Sequence, residues 1–222
     1  MNTATDETSP QANLTVIIDT GCANLSSVKF AFERLNANIL VSADPQVIRS
    51  ATRVVLPGVG TAGAAMDALK QKHLVELIKS LTQPVMGVCL GMQMLADLSK
   101  EHGGRLQDGS ERVTDIQCLG LIPTQITHLD SHDLPLPHMG WNQIEVGDHP
   151  LFTGIENGSY VYFVHSYRAP ISQYTLATSQ YGEPFSAAIG KGNFFGVQFH
   201  PEKSAKVGAK ILQNFLNMRA PQ

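Results

Sequence analysis

Pro84-Val85-Met86-Gly87-Val88-Cys89-Leu90-Gly91-Met92-Gln93 joins an apolar run to a helical pattern and places one cysteine between two glycines at the junction. This is the layout of a nucleophile elbow. A side chain at a sharp strand-to-helix turn is thrust clear of the backbone, its neighbours must be small, and the helix start behind it favours negative charge. Gly-x-Cys-x-Gly also arises by chance around a buried cysteine. A second segment tips the balance: Phe194 to Phe199 reads as a strand and ends in His200-Pro201-Glu202. Residues two apart on an extended segment share a face, so His200 and Glu202 are expected side by side at a strand end, with Pro201 closing the ladder. Cys89 is then the candidate nucleophile, His200 its base and proton shuttle, and Glu202 the group that fixes the imidazole. The other reading of His-Pro-Glu is a capped strand end with a surface carboxylate.

Working outward from the elbow, apolar runs alternate with helical patterns. Leu14 to Ile18 reads as a strand ending at Asp19-Thr20-Gly21, and Leu25, Val28, Phe32 and Leu35 follow at helical spacing, with Asn24 as N-cap and Asn36 near the end. Strands are expected at Ile39 to Val41, at Val54 to Leu56 before Pro57-Gly58-Val59-Gly60, and at Pro84 to Val88. Helices are expected near Ala64 to Lys70 and Leu74 to Leu81. Such alternation predicts a doubly wound α/β fold whose central sheet is mostly parallel, with helices on both faces. From about Gly103 to Gly192 the runs shorten, as at Tyr160 to Val164, Thr175 to Thr178 and Ser186 to Ile189, which predicts a smaller, partly antiparallel sheet. Lys206 to Met218 carries Ile211, Leu212, Phe215 and Leu216 on one helical face. Sites in such folds gather at the carboxyl ends of strands, where Asp19, Pro57, Cys89 and His200 all fall.

Composition narrows the ligand classes. With 222 residues, 43% hydrophobic and 16% charged, the chain suffices for one core, read as residues 14–222 behind a polar tail at 1–13. A net charge of −3 without a basic cluster argues against nucleic acid. The polar start is neither a signal peptide nor a membrane anchor, and the three cysteines make no disulfide framework; both fit a cytoplasmic protein. Cys22 and Cys118 lack an elbow context and read as packing or loop residues. His128 and His132, beside Asp130 and Asp133, have a spacing that could bind zinc on a helix. The nearby Pro135 and Pro137 favour a loop, and no metal is assigned.

The elbow Gly87 to Gln93 with His200-Pro201-Glu202 resembles the class I, triad-type glutamine amidotransferases. Asp19 to Val28, Leu56 to Gly60, Pro137-His138-Met139-Gly140-Trp141-Asn142, Tyr162 to Tyr167 and Gln198 to Ser204 are similar to the branch of that family in histidine biosynthesis. The resemblance spans roughly residues 14 to 218. It implies hydrolysis of glutamine to glutamate and ammonia, with no cofactor. It also implies a heterodimer in which the ammonia passes to a (β/α)8-barrel cyclase subunit that makes imidazole glycerol phosphate and an aminoimidazole carboxamide ribotide. Hydrolysis in that branch is coupled to ligand binding by the cyclase, so the chain alone is expected to be nearly inactive. Many members carry Asp-Tyr-Gly-x-Gly-Asn in the first turn, where this chain has Thr20 and Ala23.

The resemblance also assigns roles. Leu90 N–H and the Gly58-Val59 peptide form the oxyanion hole, with the Val59 N–H pointing away until its peptide turns. Gly60, Gln93, Ser166 and Tyr167 hold glutamine, although Gln93 also reads as a solvated helix residue. His165 reads equally as structural or functional. His138, Trp141 and Asn142, in a Pro-rich stretch, are placed at the cyclase interface, and the only tryptophan otherwise reads as core. Glutaminase subunits of pyridoxal phosphate or purine synthesis share the elbow and triad, as does a dormant regulatory subunit. Cysteine peptidases and stress proteins of related architecture commonly place histidine directly after the elbow cysteine, where this chain has Leu90.

Overall fold

The computed structural model describes residues 13–21, 25–101 and 114–219. Asn24 as a helix cap, Cys22 and the tail at 1–12 lie outside the described residues. The first half alternates as expected: β1 (Thr15–Ile18), α1 (Leu25–Glu33), β2 (Ile39–Ser42), α2 (Pro45–Ser50), β3 (Arg53–Leu56), α3 (Ala62–Gln71), α4 (Val75–Lys79), β4 (Val85–Val88), α5 (Leu90–Met94) and β5 (Ala96–Ser99). Strands dominate the remainder: β6 (Ile116–Gln117), β7 (Ile122–His128), β8 (His138–Val146), β9 (Ser159–His165), β10 (Tyr167–Arg168), β11 (Thr175–Tyr181), β12 (Glu183–Lys191), β13 (Phe194–Val197) and the closing α6 (Ala205–Asn217).

One nine-stranded sheet runs β2-β1-β3-β4-β13-β12-β11-β8-β9. Its first five strands are parallel. Every residue of β1, β3, β4 and β13 is buried, as a sheet covered on both faces requires. Alternation divides the core: Val16, Ile18, Val54 and Leu56 pack under α2 to α5, whereas Ile17, Val55, Met86 and Val197 pack under α1 and α6. Most of the shorter, antiparallel strands of the second half extend this sheet, beside the smaller, partly antiparallel sheet that the sequence predicts. A tight loop with Gly192 in the left-handed region folds β12 back on β13, pairing Lys191 with Phe194, and β11, β8 and β9 add in turn. A separate four-stranded sheet, β10-β7-β5-β6, is mixed.

Local chemistry sets the helix starts that matter to the site. Asp44 Oδ1 accepts the Gln46 N–H ahead of Pro45, and Thr61 Oγ1 accepts the Ala64 N–H at the start of α3. Because β1, β3, β4 and β13 are parallel neighbours, the loops after them open on one edge, and Asp19, Pro57, Cys89 and Gln198 to His200 stand there together.

Candidate active site

Cys89 sits at φ 53°, ψ −112°, a backbone region that disfavours L side chains, between the buried strand β4 and the short helix α5. Such strain persists only where the surroundings over-determine it. Here the Cys89 N–H donates to Val197 O at 2.8 Å, which ties the elbow to β13. A Cβ on Gly87 would stand 2.5 Å from Met92 N, and one on Gly91 would overlap the Leu56 carbonyl, so only glycine lets α5 turn this tightly against β3 and β4. Gly58 has the same constraint from the other side: its Cβ would meet Gly91 N at 2.6 Å. The loop after β3 and the start of α5 are thus packed backbone to backbone. The Leu90 N–H, first of α5, is one of the amides a helix start leaves without an intrahelical acceptor.

His200 follows β13 through two bent residues, Gln198 and Phe199, and Pro201–Lys203 is a 3-10 turn. The expectation that His200 and Glu202 share the face of an extended strand is therefore corrected: β13 ends at Val197. Proline pre-sets the turn's first dihedral, and the turn carries Glu202 back beneath the ring. His200 Nδ1 donates to Glu202 Oε1 at 2.8 Å, and the Glu202 side chain is only 3% exposed. His200 Nε2 is buried with no hydrogen-bond partner in the protein, which makes it the nitrogen free to exchange a proton at the nucleophile. Burial opposes charge on this imidazole. Contact with the Cys89 sulfur and the Glu202 carboxylate outweighs burial and raises its pKa from the ordinary 6.5 to about 10.

A cleft of about 220 Å³ is lined by Gly60, Cys89, Leu90, Gln93, Glu101, Pro137 and the stretch Val164 to Tyr167. Gln93 is buried rather than solvated, and its amide donates to Tyr167 O and to Gln198 Oε1, both at 3.0 Å. Gln198 Nε2 in turn lies 3.8 Å from Cys89 Sγ, and that sulfur lies 3.7 Å from Val164 O. Val59 is 37% exposed at the cleft's edge, and Gly60 has φ +88° with open space around it. Glu101 was not legible as a site residue, since no motif surrounds it. Its carboxylate accepts the Ala62 N–H at the start of α3, and burial holds its pKa above the ordinary value against that bond.

Strand β8 corrects another expectation. His138, Trp141 and Asn142, expected only as part of a Pro-rich stretch, lie on a nine-residue strand; the prolines end just before it and the inward His138 hides the polar-apolar alternation. Trp141 is 50% exposed and not core, and it meets Tyr162 edge-on at 6.0 Å. His138 is 3% exposed, stacked between Phe163 and Tyr181, so it is not available to a partner. Its Nδ1 lies 3.0 Å from His165 Nε2, behind the cleft. His128 ends β7 edge-on to Tyr167, whereas His132 lies in a turn beside Asp130; the two do not converge. Among the described residues no group of three or more potential ligands could hold a metal ion. Nor is any described helix long and apolar enough to cross a membrane.

The buried histidines predict opposite pH limbs. Burial lowers His138 to about 4 and, with the charges of His138 and His200 adding to it, lowers His165 to about 3. The unfolded chain takes up protons there first, so stability is full above about pH 6.5 and is lost as pH falls toward 3. His200, raised to about 10, contributes stability that is full below about pH 6.5 and lost as pH rises toward 10. Thermal midpoints measured from pH 4 to 10 are expected to peak between these limbs; His165→Asn should flatten the acid limb, and Glu202→Gln the alkaline one. Midpoints indifferent to both substitutions would overturn the assignment.

The glutamine amidotransferase class-I family model matches residues 16–218. Among curated proteins, imidazole glycerol phosphate synthase subunit HisH of Shewanella sediminis is 66% identical over 204 residues, covering 92% of this chain and 90% of that protein. The protein of the same name from Vibrio cholerae is 53% identical, covering 91% and 98%. Solved structures share the fold at low identity. A putative GMP synthase protein from Thermoplasma acidophilum superimposes with a TM-score of 0.67 at 16% identity, covering 91% of this chain and 92% of that one. PurLQS from Thermotoga maritima gives 0.67 at 18%, covering 92% and 97%.

Proposed function

The chain belongs to the class-I glutamine amidotransferases, in the family of imidazole glycerol phosphate synthase subunit HisH, and from that premise we propose how its cleft hydrolyses glutamine. It is the glutaminase subunit of that synthase and supplies ammonia in histidine biosynthesis. The observation that carries the mechanism is the strained Cys89 beside an imidazole whose Nδ1 is held by Glu202 and whose Nε2 is free. His200 Nε2 takes the Cys89 proton, and the thiolate attacks the side-chain amide carbon of glutamine. The carbonyl π pair moves onto oxygen, where the Leu90 N–H and, after its peptide turns, the Val59 N–H receive it. Collapse of this intermediate breaks the C–N bond, and His200 gives its proton to the departing nitrogen, releasing ammonia. Water, deprotonated by His200 Nε2, then opens the thioester to glutamate, and the proton returns to the Cys89 sulfur.

The head group of glutamine is held at the far end of the cleft. The Ser166 and Tyr167 N–H groups receive the substrate carboxylate, and Glu101, lining the same cleft, supplies the counter-charge for its ammonium. Gly60 gives that end its open backbone. The partner is the (β/α)8-barrel cyclase subunit, and the aromatic face made by exposed Trp141 and half-buried Tyr162, with Lys203 Nζ 5.8 Å above the Tyr162 ring, is its docking surface, with Asn142 at the margin. Lys203 directly follows the triad glutamate, so docking there bears on the catalytic turn. Glutamate release is expected when the chain is mixed with the cyclase and its nucleotide ligand, and to be nearly absent from the chain alone. Vigorous release without the cyclase would overturn the coupling and favour a different glutaminase.

A further inference from the structure

Behind the cleft, three side chains from β8 and β9 form a hydrogen-bonded file whose proton positions the geometry fixes. The Asn142 amide nitrogen can only donate, so His138 Nε2, at 3.2 Å, accepts; the same amide also donates to Gln180 O at 2.8 Å. Tyr167 O can only accept, so His165 Nδ1, at 2.9 Å, donates to it. His138 Nδ1–H must therefore donate to His165 Nε2 at 3.0 Å. Both imidazoles are neutral, buried and satisfied at both nitrogens. The file ends on a carbonyl that also accepts Gln93 Nε2, whose amide reaches Gln198 and, through it, the Cys89 sulfur.

Resting on the glutaminase reading, we propose that His165 and His138, oriented by Asn142, are positioning residues that pin the Tyr167 carbonyl, and with it the backbone that carries the Ser166 and Tyr167 N–H groups, so that these meet the head group of glutamine. A carbonyl held by two donors, one from α5 and one from β9, cannot rotate without breaking one of them, and an unmet buried donor is costly. The triad residues, by contrast, are held chiefly by β4, β13 and the 3-10 turn, and the file reaches them only indirectly, through Gln93 and Gln198. Loss of the file thus weakens recognition of the amino-acid end and leaves the chemical step nearly unchanged. Asn142 follows Trp141 in β8 but faces the side of the sheet opposite to it, with His138.

The test uses the complex with the cyclase and its nucleotide ligand. His165→Leu is expected to raise the KM for glutamine about tenfold or more, with kcat within about threefold, from the loss of one buried hydrogen bond and the orphaning of its partner. His165→Asn, whose amide N–H stands near the place of Nδ1–H, should recover most of that loss. A second readout separates recognition from sulfur reactivity: inactivation by a glutamine-shaped chloroketone should slow about tenfold in His165→Leu, whereas alkylation by iodoacetamide should change little. Unchanged KM and an unchanged ratio of the two inactivation rates would overturn the proposal, as would equal losses in the Leu and Asn variants. A wild-type complex that releases no glutamate, or that reacts no faster with the glutamine-shaped reagent than with iodoacetamide, would instead sink the glutaminase reading itself.

Discussion

Cys89→Ala, assayed with the cyclase and its ligand, is expected to lose glutamate release by roughly 10⁴-fold or more, as removal of a covalent nucleophile does elsewhere. No other described thiol can substitute. Cys118 is half-buried against Ile116 O, and burial first, then the Glu101 and Asp97 carboxylates, push its thiol up to about 12. The variant should still fold, since the sulfur makes only long contacts, 3.7 Å to Val164 O and 3.8 Å from Gln198 Nε2. It should also still bind glutamine, because Gln93, Glu101 and the Ser166–Tyr167 backbone are untouched. Calorimetric titration with glutamine, beside a glutamate assay, separates the two properties. Residual turnover above about 1% of wild type would show that catalysis does not pass through a thioester at this residue.

Gly91→Ala should be among the most damaging single methyl groups. Its Cβ would overlap the Leu56 carbonyl and press on Pro57, and neither neighbour is the movable end of a side chain. Relief requires α5 to lift from β3 or the strand end to shift. We expect a loss of about 3 kcal/mol or more, the range reached when rigid backbone is overpacked. The control is Gly192→Ala, where φ is +61° and nothing lies within 4 Å of the added carbon; strain alone there should cost about 1 kcal/mol. Urea unfolding of both variants gives the comparison. Equal midpoints would mean that the elbow yields readily, and would remove the packing argument for its two glycines. Because the same displacement moves Gly58 and Val59, whatever Gly91→Ala survives to fold should also lose glutaminase activity.

The parallel half of the sheet was legible because its strands are buried on both faces: runs such as Leu14 to Ile18 and Pro84 to Val88 need no context to read. The Cys89, His200 and Glu202 constellation was legible because both its pieces are local, five residues around one turn and three around another. What escaped was built across distance. Glu101 reaches the cleft only because β5 returns beside β7, and Gln198 acquires its place only because β13 lies against β4. Strand β8 was hidden by its own polar interior, since His138 faces inward and Trp141 and Met139 outward, the reverse of what hydropathy predicts. Short 3-10 turns such as Pro201–Lys203 leave no periodic trace at all.

The unfavourable backbone at Cys89 sets two selection pressures against each other. Glycine at 89 would relieve a conformation that typically costs on the order of 1–3 kcal/mol and would remove the thiol proposed as the nucleophile. A library screened for heat tolerance alone should therefore drift toward silence at this position, and its most robust survivors would be the least useful. Stabilising the protein for practical use has to draw on sites remote from the turn, with turnover kept in the screen from the first round.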